Sequence, residues 1–313
     1  MEAIKLLSNM DSKDLARKII SDRRKKNIQI YKDNLEKLCS DPIFDELNNT
    51  KALLQYQYLS SKSKDDLIKI QEKLDANKQA MFDYLQKKNI PTNTLNLQYD
   101  CQLCLDTGIY NGKECPCVEK ERIKIELSEN TTLKNVPNSL KNIDFSYYKK
   151  DAETKKKCAE YIHEMLDKGE YTFYIFRGKP GTAKTYFAKT ALKEQLYKGY
   201  SVKAYSTVQF NKELLNYCYA PMNMKNEVWA ELTNYDYILL DDLGVESILK
   251  NITIQYFIEL LEDCITYNKK LIITTNLSLD DIFERYDDRV FSRLRDSSNS
   301  LIINFTGNDI RLK

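Results

Sequence analysis

One stretch constrains this chain more than any other: residues 171–190, YTFYIFRGKPGTAKTYFAKT. An apolar run over 173–176 leads into Gly178, Lys179, Pro180, Gly181, Thr182, Ala183, Lys184 and Thr185, and an amphipathic segment follows. That is the order strand, phosphate-binding loop, helix. The loop pattern G-x-x-x-x-G-K-[ST] is met everywhere except at Ala183, where a second glycine is expected. Gly178 and Gly181 let the backbone turn tightly enough to aim successive N–H groups at a polyphosphate. The positive end of the helix starting near Lys184 adds to that attraction. Lys184 would reach the β- and γ-phosphates of ATP, and Thr185 would place its hydroxyl on Mg²⁺. Ala183 adds one methyl where the backbone passes close to phosphate, so binding depends on whether that Cβ fits. Taken alone, the loop could also be a glycine-rich turn opening an ordinary helix.

Downstream, the apolar strand 237–240 ends in Asp241-Asp242-Leu243-Gly244. An acidic strand end beside a phosphate loop is what nucleotide hydrolysis needs. Asp241 would hold the hydration shell of Mg²⁺, and Asp242 would orient and deprotonate the attacking water. Aspartate has one methylene less reach than glutamate there, so slow turnover is expected. Asn276, at the tip of the next strand, 271–275, could help to position that water; alone it reads as a plain Asn turn. Arg289 and Arg293 are four residues apart and share one helix face. They could pair with Asp287, Asp288 or Glu284, or one could serve as an arginine finger in a neighbouring subunit, a contribution of about 10³ to 10⁵ in rate. His163, the one histidine, lies in a surface-like helix and receives no role.

Residues 1–94 are expected to be a helical region: two long helices, one from about Ser12 to Cys39, which Asp41-Pro42 ends, and one from about Ser63 to Lys88. Their apolar stripes would pair with each other or with a partner protein. The basic cluster Arg23-Arg24-Lys25-Lys26 reads as a solvated face, with nucleic-acid contact the minority reading. Residues 95–125 change character. Cys101 and Cys104 are followed, past Asp106-Thr107-Gly108 and Asn111-Gly112, by Cys115 and Cys117. The turn dipeptides can double the chain back and bring the two pairs together, which points to a closed tetrahedral Zn²⁺ site, with an iron–sulfur cluster the alternative. Residues 126–313 make a third region, which begins with a helix and connector to about residue 150 and over 151–313 alternates strands and helices as a parallel α/β domain does. The other four of the eight cysteines are scattered, as in a reducing compartment. A net charge of +2 provides no strong field for nucleic acid, so any DNA contact needs a local patch. Without a run of eighteen apolar residues or an apolar signal core, no membrane contact is expected, and the cytoplasm is the expected location.

The ordered set Cys-x-x-Cys-x-Asp-Thr-Gly with Cys-x-Cys, the phosphate loop, Leu-Leu-Asp-Asp-Leu-Gly, Thr-Thr-Asn-Leu-Ser, Arg-Val-Phe-Ser-Arg-Leu and a terminal Gly-x-Asp-x-Arg resembles the DnaC/DnaI-type AAA+ helicase loaders, in their zinc-containing form. The resemblance runs over about residues 95–313. It implies an α/β AAA+ P-loop parallel sheet without a C-terminal lid, preceded by a helical partner-binding region and a small zinc segment. It also implies an ATP-dependent loader that binds the replicative DnaB-type helicase and delivers it to single-stranded DNA, as an ATP-dependent homo-oligomer. Lys184 and Thr185 would be Walker A residues, Asp241 and Asp242 Walker B, Asn276 sensor 1 and Arg311 sensor 2, with Arg293 the first choice of finger and Arg289 the second. Ser247 and Lys250 would lie toward single-stranded DNA, and Phe145, Tyr147 and Tyr148 would cover the adenine. An IstB-type transposition helper, or an adaptor that binds ATP without hydrolysing it, are the competing readings.

Overall fold

The computed structural model describes residues 11–307 and 309 and divides into two compact units, residues 1–122 and 123–313.

The first unit begins with three helices, α1 (Ser12–Cys39), α2 (Pro42–Ser60) and α3 (Lys64–Lys87). The sequence led us to expect two. Asp41-Pro42 does end α1, but it also starts α2: Pro42 stands at the first helical position, where no N–H is required, and the Asp41 carboxylate accepts the Ile43 N–H at 3.0 Å. Leu38, Phe44, Met81 and Leu85 bury a small core between the helices. Leu53, Tyr56, Leu59 and Ile68 remain exposed. Arg23, in the basic cluster, pairs with Asp100 and Glu121 at 3.1 Å each.

The cysteine segment is a knuckle closed by a two-strand hairpin, β1 (Ile109–Tyr110) and β2 (Lys113–Glu114). Its turn, Asn111-Gly112, has positive φ at both residues (51° and 73°), the turn chemistry that matches strand twist. Helix α4 (Pro116–Glu129) follows.

The second unit is built on a five-stranded sheet. Its strands are β3 (Phe173–Gly178), β4 (Val202–Ser206), β5 (Tyr237–Leu243), β6 (Lys270–Thr275) and β7 (Ser300–Phe305), in the order β4-β5-β6-β3-β7, with all neighbours parallel. The central strands read as unbroken apolar runs because helices cover both faces. On one side Phe187, Ala191 and Leu192 of α6 (Lys184–Tyr197) join α5 (Ala152–Lys168) over Tyr174, Phe176 and Leu239. On the other, α7 (Thr207–Tyr219), α9 (Thr253–Thr266) and the short α10 (Leu279–Tyr286) and α11 (Asp288–Arg295) pack over Ile175, Leu240 and Ile273. A further helix, α8 (Lys225–Thr233), lies between β4 and β5 in the chain. This is the helical region followed by a P-loop parallel sheet expected of an AAA+ chain.

Two devices fix the segment ahead of the sheet. The Asn130 side chain donates to the Val202 carbonyl at 3.1 Å and accepts the Ala204 N–H at 3.0 Å, satisfying the outer edge of β4. Buried Glu194 of α6 accepts from the Ser139 hydroxyl (2.6 Å), the Leu140 N–H (2.8 Å) and Lys198 Nζ (2.9 Å). His163 Nδ1 stands 2.5 Å from the same carboxylate, so this histidine is part of an ion cluster and not a surface bystander. Burial pushes the Glu194 carboxyl up, but those hydrogen bonds outweigh it and hold it at about 2.

Candidate nucleotide and metal sites

The phosphate loop joins the tip of β3 to α6. Gly178 is fixed by close approach: a Cβ there would lie 2.2 Å from the Phe305 carbonyl oxygen of β7. Gly181 (φ 77°) and Ala183 (φ 75°) both take the left-handed conformation. Ala183 therefore adopts the backbone of the glycine it replaces, and its methyl is accommodated at the wall of the cleft. Behind the loop, buried Lys155 of α5 donates to the carbonyls of Thr182 (2.9 Å) and Thr306 (2.8 Å), tying the loop to the chain that leaves β7. Desolvation lowers the Lys155 pKa from its ordinary value.

In front of the loop lies a cleft of about 390 Å³, lined by Val136, Pro180, Gly181, Ala183, Lys184, Thr185, Tyr186, Lys189, Asp242 and Asn276. Three separated segments meet here. Lys184 Nζ donates to the carbonyls of Gly178 (2.7 Å) and Lys179 (2.9 Å) and to Asn276 Oδ1 at the tip of β6 (2.8 Å). The Thr185 hydroxyl donates to Asp241 Oδ1 at 2.7 Å, and so does the Thr274 hydroxyl of β6, also at 2.7 Å. Asp241 Oδ2 takes an ion pair from Lys189 at 3.1 Å. At the end of β5 the register shifts between Leu240 and Leu243, and Asp242 has φ 62°. This bulge places adjacent carboxylates on different duties, Asp241 toward Thr185 and Asp242 into the cleft.

The donor set fits a magnesium nucleotide. Lys184 and residues of the loop line a cleft of ligand size, and a hydroxyl and a carboxylate, the hard oxygen ligands Mg²⁺ prefers, stand in contact. Thr185 and Asp241 are the residues that would hold the ion.

The aromatic residues are placed differently from expectation. Tyr148 is buried against Phe145 and Phe187 in the core, and Tyr147 is exposed, while the cleft wall is made by Val136 and Tyr186. The run Phe145–Tyr148 forms a helical turn in which packing takes up Phe145 and Tyr148, and Tyr147 alone keeps an exposed ring, near the Tyr186 hydroxyl of the cleft wall. Val136 carried no signal that periodicity or a motif could reveal.

Arg289 and Arg293 sit on α11, away from the cleft lining. Arg289 is 67% exposed in its side chain and pairs with Asp287 at 3.2 Å; Arg293 pairs with Glu262 at 2.5 Å and donates to the Arg289 carbonyl. Ser247 and Lys250 are exposed on the connection between β5 and α9. In that connection, buried Glu246 receives the Gly244 N–H at 3.0 Å and the Tyr286 hydroxyl, and Arg285 donates to its carbonyl. Arg311 lies outside the described residues.

In the cysteine knuckle the four sulfurs lie within 4.8 Å of one another, with Cys101 and Cys115 Sγ 3.7 Å apart and Cys104 and Cys117 Sγ 3.5 Å apart. Sulfurs about 2.3 Å from a central zinc would stand about 3.8 Å apart, so the arrangement has the dimensions of a closed Cys₄ site. All four are free thiols. Asp106 accepts the N–H groups of Asp100 and Cys101 at 3.0 and 2.9 Å and holds the first pair in place. Burial pushes the Cys104 thiol up, and hydrogen bonds from the Gly108 N–H and the neighbouring cysteines outweigh it, leaving it at about 7; Cys117 moves up. Among the described residues no helix is long and apolar enough to cross a membrane.

Comparison with known proteins follows the same lines. The profile of a family described as IstB-like ATP binding protein matches residues 118–313. The replicative helicase loader DnaC of Escherichia coli K12 is 24% identical over 176 residues, 54% of this chain and 69% of that protein, and DnaC of Shigella flexneri gives the same figures. Among solved structures, DnaI matches with a TM-score of 0.43 at 19% identity over 56% of this chain and 93% of its own. The DnaC helicase loader gives 0.42 at 21% identity over 56% and 99%. AMPPCP-bound DnaA from Aquifex aeolicus gives 0.45 at 22% identity over 56% of this chain and 52%, about half, of the DnaA chain.

Proposed function

The chain belongs to the IstB-like ATP binding protein family, and from that premise we propose that it is an ATP-controlled loader, which holds a DnaB-type replicative helicase and delivers it to single-stranded DNA in the cytoplasm. The observation that carries the reading is the meeting of Lys184, the Asp241–Asp242 bulge and Asn276 around one cleft. Similarity to replicative helicase loader DnaC over 176 residues supports the assignment of what the nucleotide controls.

In this reading the loop N–H groups and Lys184 bind the β- and γ-phosphates. Mg²⁺, held by Thr185 and Asp241, neutralises developing phosphate charge. Asp242 orients water and accepts its proton, and Asn276 positions both that water and Lys184. Arg289 and Arg293 reach no phosphate of their own subunit's cleft, so either acts on a neighbouring copy in an ATP-dependent homo-oligomer. Arg289, the more exposed, is the freer of the two to do so. Arg311, Ser247 and Lys250 keep the roles the resemblance implies. The helical region 1–94, with Leu53, Tyr56, Leu59 and Ile68 exposed, is assigned to the helicase, the Cys₄ knuckle, 95–125, to Zn²⁺, and residues 126–313 to the ATPase domain.

The test is steady-state ATP hydrolysis with and without single-stranded DNA, alongside co-purification with the helicase encoded in the same genome. Wild type should turn over slowly, with Lys184→Ala and Asp242→Asn inactive, and should retain the helicase with ATP. No turnover in any condition, with nucleotide still bound, would leave the adaptor. The family match itself favours a second reading, the IstB-type transposition helper; preference for duplex DNA and filament formation would establish it.

A further inference from the structure

The acid that would share Mg²⁺ with Thr185 already has a cation of its own. Lys189 follows Thr185 by four residues on α6, so the two side chains rise from the same helix face. Thr185 engages Asp241 Oδ1, and Lys189 engages Oδ2 of the same carboxylate. Both partners of the ion pair are largely shielded, with side-chain exposures of 21% and 12%, and Lys189 lines the cleft together with Lys184, Thr185 and Asp242. Oδ1 is taken twice, by the hydroxyls of Thr185 and Thr274. Among the described residues, the groups on the Asp241 carboxylate are thus two hydroxyl donors and an ammonium.

We propose that Lys189 is a tethered cation of the nucleotide site, supplying positive charge that otherwise only the divalent ion brings and thereby weakening the dependence of nucleotide binding on Mg²⁺. This rests on the ATP-binding reading of the cleft. The argument is one of charge at short range. A polyphosphate entering the cleft meets the carboxylates of Asp241 and Asp242, with that of Asp309 set against Gly181 of the loop, and one lysine of the loop pattern, Lys184. Without a further cation the carboxylates oppose the phosphates, and nucleotide binding collapses when Mg²⁺ is withdrawn. Lys189 neutralises Asp241 from within the helix, at a distance where a charge in a partly desolvated cleft still counts heavily. The same ion pair must loosen for Mg²⁺ to use Asp241 fully, so Lys189 also raises the Mg²⁺ concentration needed to saturate the bound nucleotide. Nothing in the loop pattern requires a lysine at this place; its consequence follows from the pairing with Asp241.

The experiment measures binding, not turnover. The full chain is titrated with a fluorescent ADP analogue in excess MgCl₂ and in excess EDTA, for wild type, Lys189→Ala, Lys189→Gln and Lys189→Arg, with far-ultraviolet circular dichroism to show that each is folded. Wild type should lose less than about tenfold in affinity on removal of Mg²⁺, and Lys189→Ala and Lys189→Gln at least about tenfold more than wild type. Lys189→Arg should behave as wild type, and the half-saturating Mg²⁺ concentration should fall in the neutral variants. Equal Mg²⁺ dependence in all four proteins, with ADP bound, overturns the role of Lys189 and leaves the nucleotide site standing. Absence of ADP binding in wild type in both buffers overturns both.

Discussion

Ala183→Gly tests the one position where the phosphate loop departs from its pattern. Ala183 has φ 75° and ψ 15°, a left-handed backbone that costs an L-residue about 1–2 kcal/mol and glycine almost nothing. Glycine also gains freedom in the unfolded chain, a loss of about 0.4–1 kcal/mol to the folded state. The difference is a net stabilisation of about 0.5 kcal/mol, within about 0–1.5. In a domain of this size that is a rise of about 1–2 °C in Tm. The methyl also stands at the wall of the cleft, so its removal brings the backbone nearer to phosphate; a gain of about 0.5–1 kcal/mol there is a two- to fivefold tighter Kd. Thermal unfolding of the nucleotide-free protein reads the first effect, and calorimetric titration with ADP and Mg²⁺ the second. A fall in Tm of more than about 2 °C, with ADP affinity unchanged, would refute the reasoning. It would mean that the methyl's packing against the core outweighs the backbone strain.

Lys184→Ala removes an ammonium whose charge-assisted bonds are worth about 1.5–3 kcal/mol, so ADP affinity should fall by at least about tenfold in titrations with Mg²⁺ present. Gly178→Ala should fail to give a folded second unit, because the added Cβ meets the backbone of β7 and no side chain can yield; a cooperative melt like that of wild type would contradict this. Cys104→Ser should reduce bound zinc measured by atomic emission from one per chain to near zero and expose the first unit to protease. Glu194 has a folded pKa of about 2, depressed below its unfolded value. Its stabilisation is thus fully present above about pH 4.5 and disappears as pH falls toward 2, an effect of roughly 3 kcal/mol. Glu194→Gln should flatten the acid limb of a Tm-against-pH curve and lower Tm at pH 7.

The meeting of segments at the candidate nucleotide cleft was largely legible because each segment is marked locally. The loop, the acidic strand end and Asn276 each announce themselves within a few residues, and the structure brings Lys184, Asp241, Asp242 and Asn276 together. The limits of α1 and α3 were read from Ser12, Cys39, Ser63 and the approach to Pro91, since caps and breakers act over one turn. Helix α2 was missed because Pro42 stops one helix and begins another with equal propriety. The sheet order, the burial of Tyr148 and the pairing of Lys189 with Asp241 depend on residues far apart in the chain, which no local pattern encodes. His163 was misread for the same reason: its partner Glu194 is on another helix.

The placing of β3 between β6 and β7 has a consequence for biosynthesis. The strand that carries the phosphate loop leaves the ribosome well before either neighbour, Lys270–Thr275 or Ser300–Phe305, exists to pair with it. Until then its Phe173, Tyr174, Ile175 and Phe176 are apolar side chains without a sheet, and Gly178 lacks the Phe305 carbonyl against which it is seated. ATP therefore cannot act as an early scaffold for the nascent domain. The site matures in a late, long-range step, and in the interval the growing chain exposes a segment on which chaperones or aggregation can act.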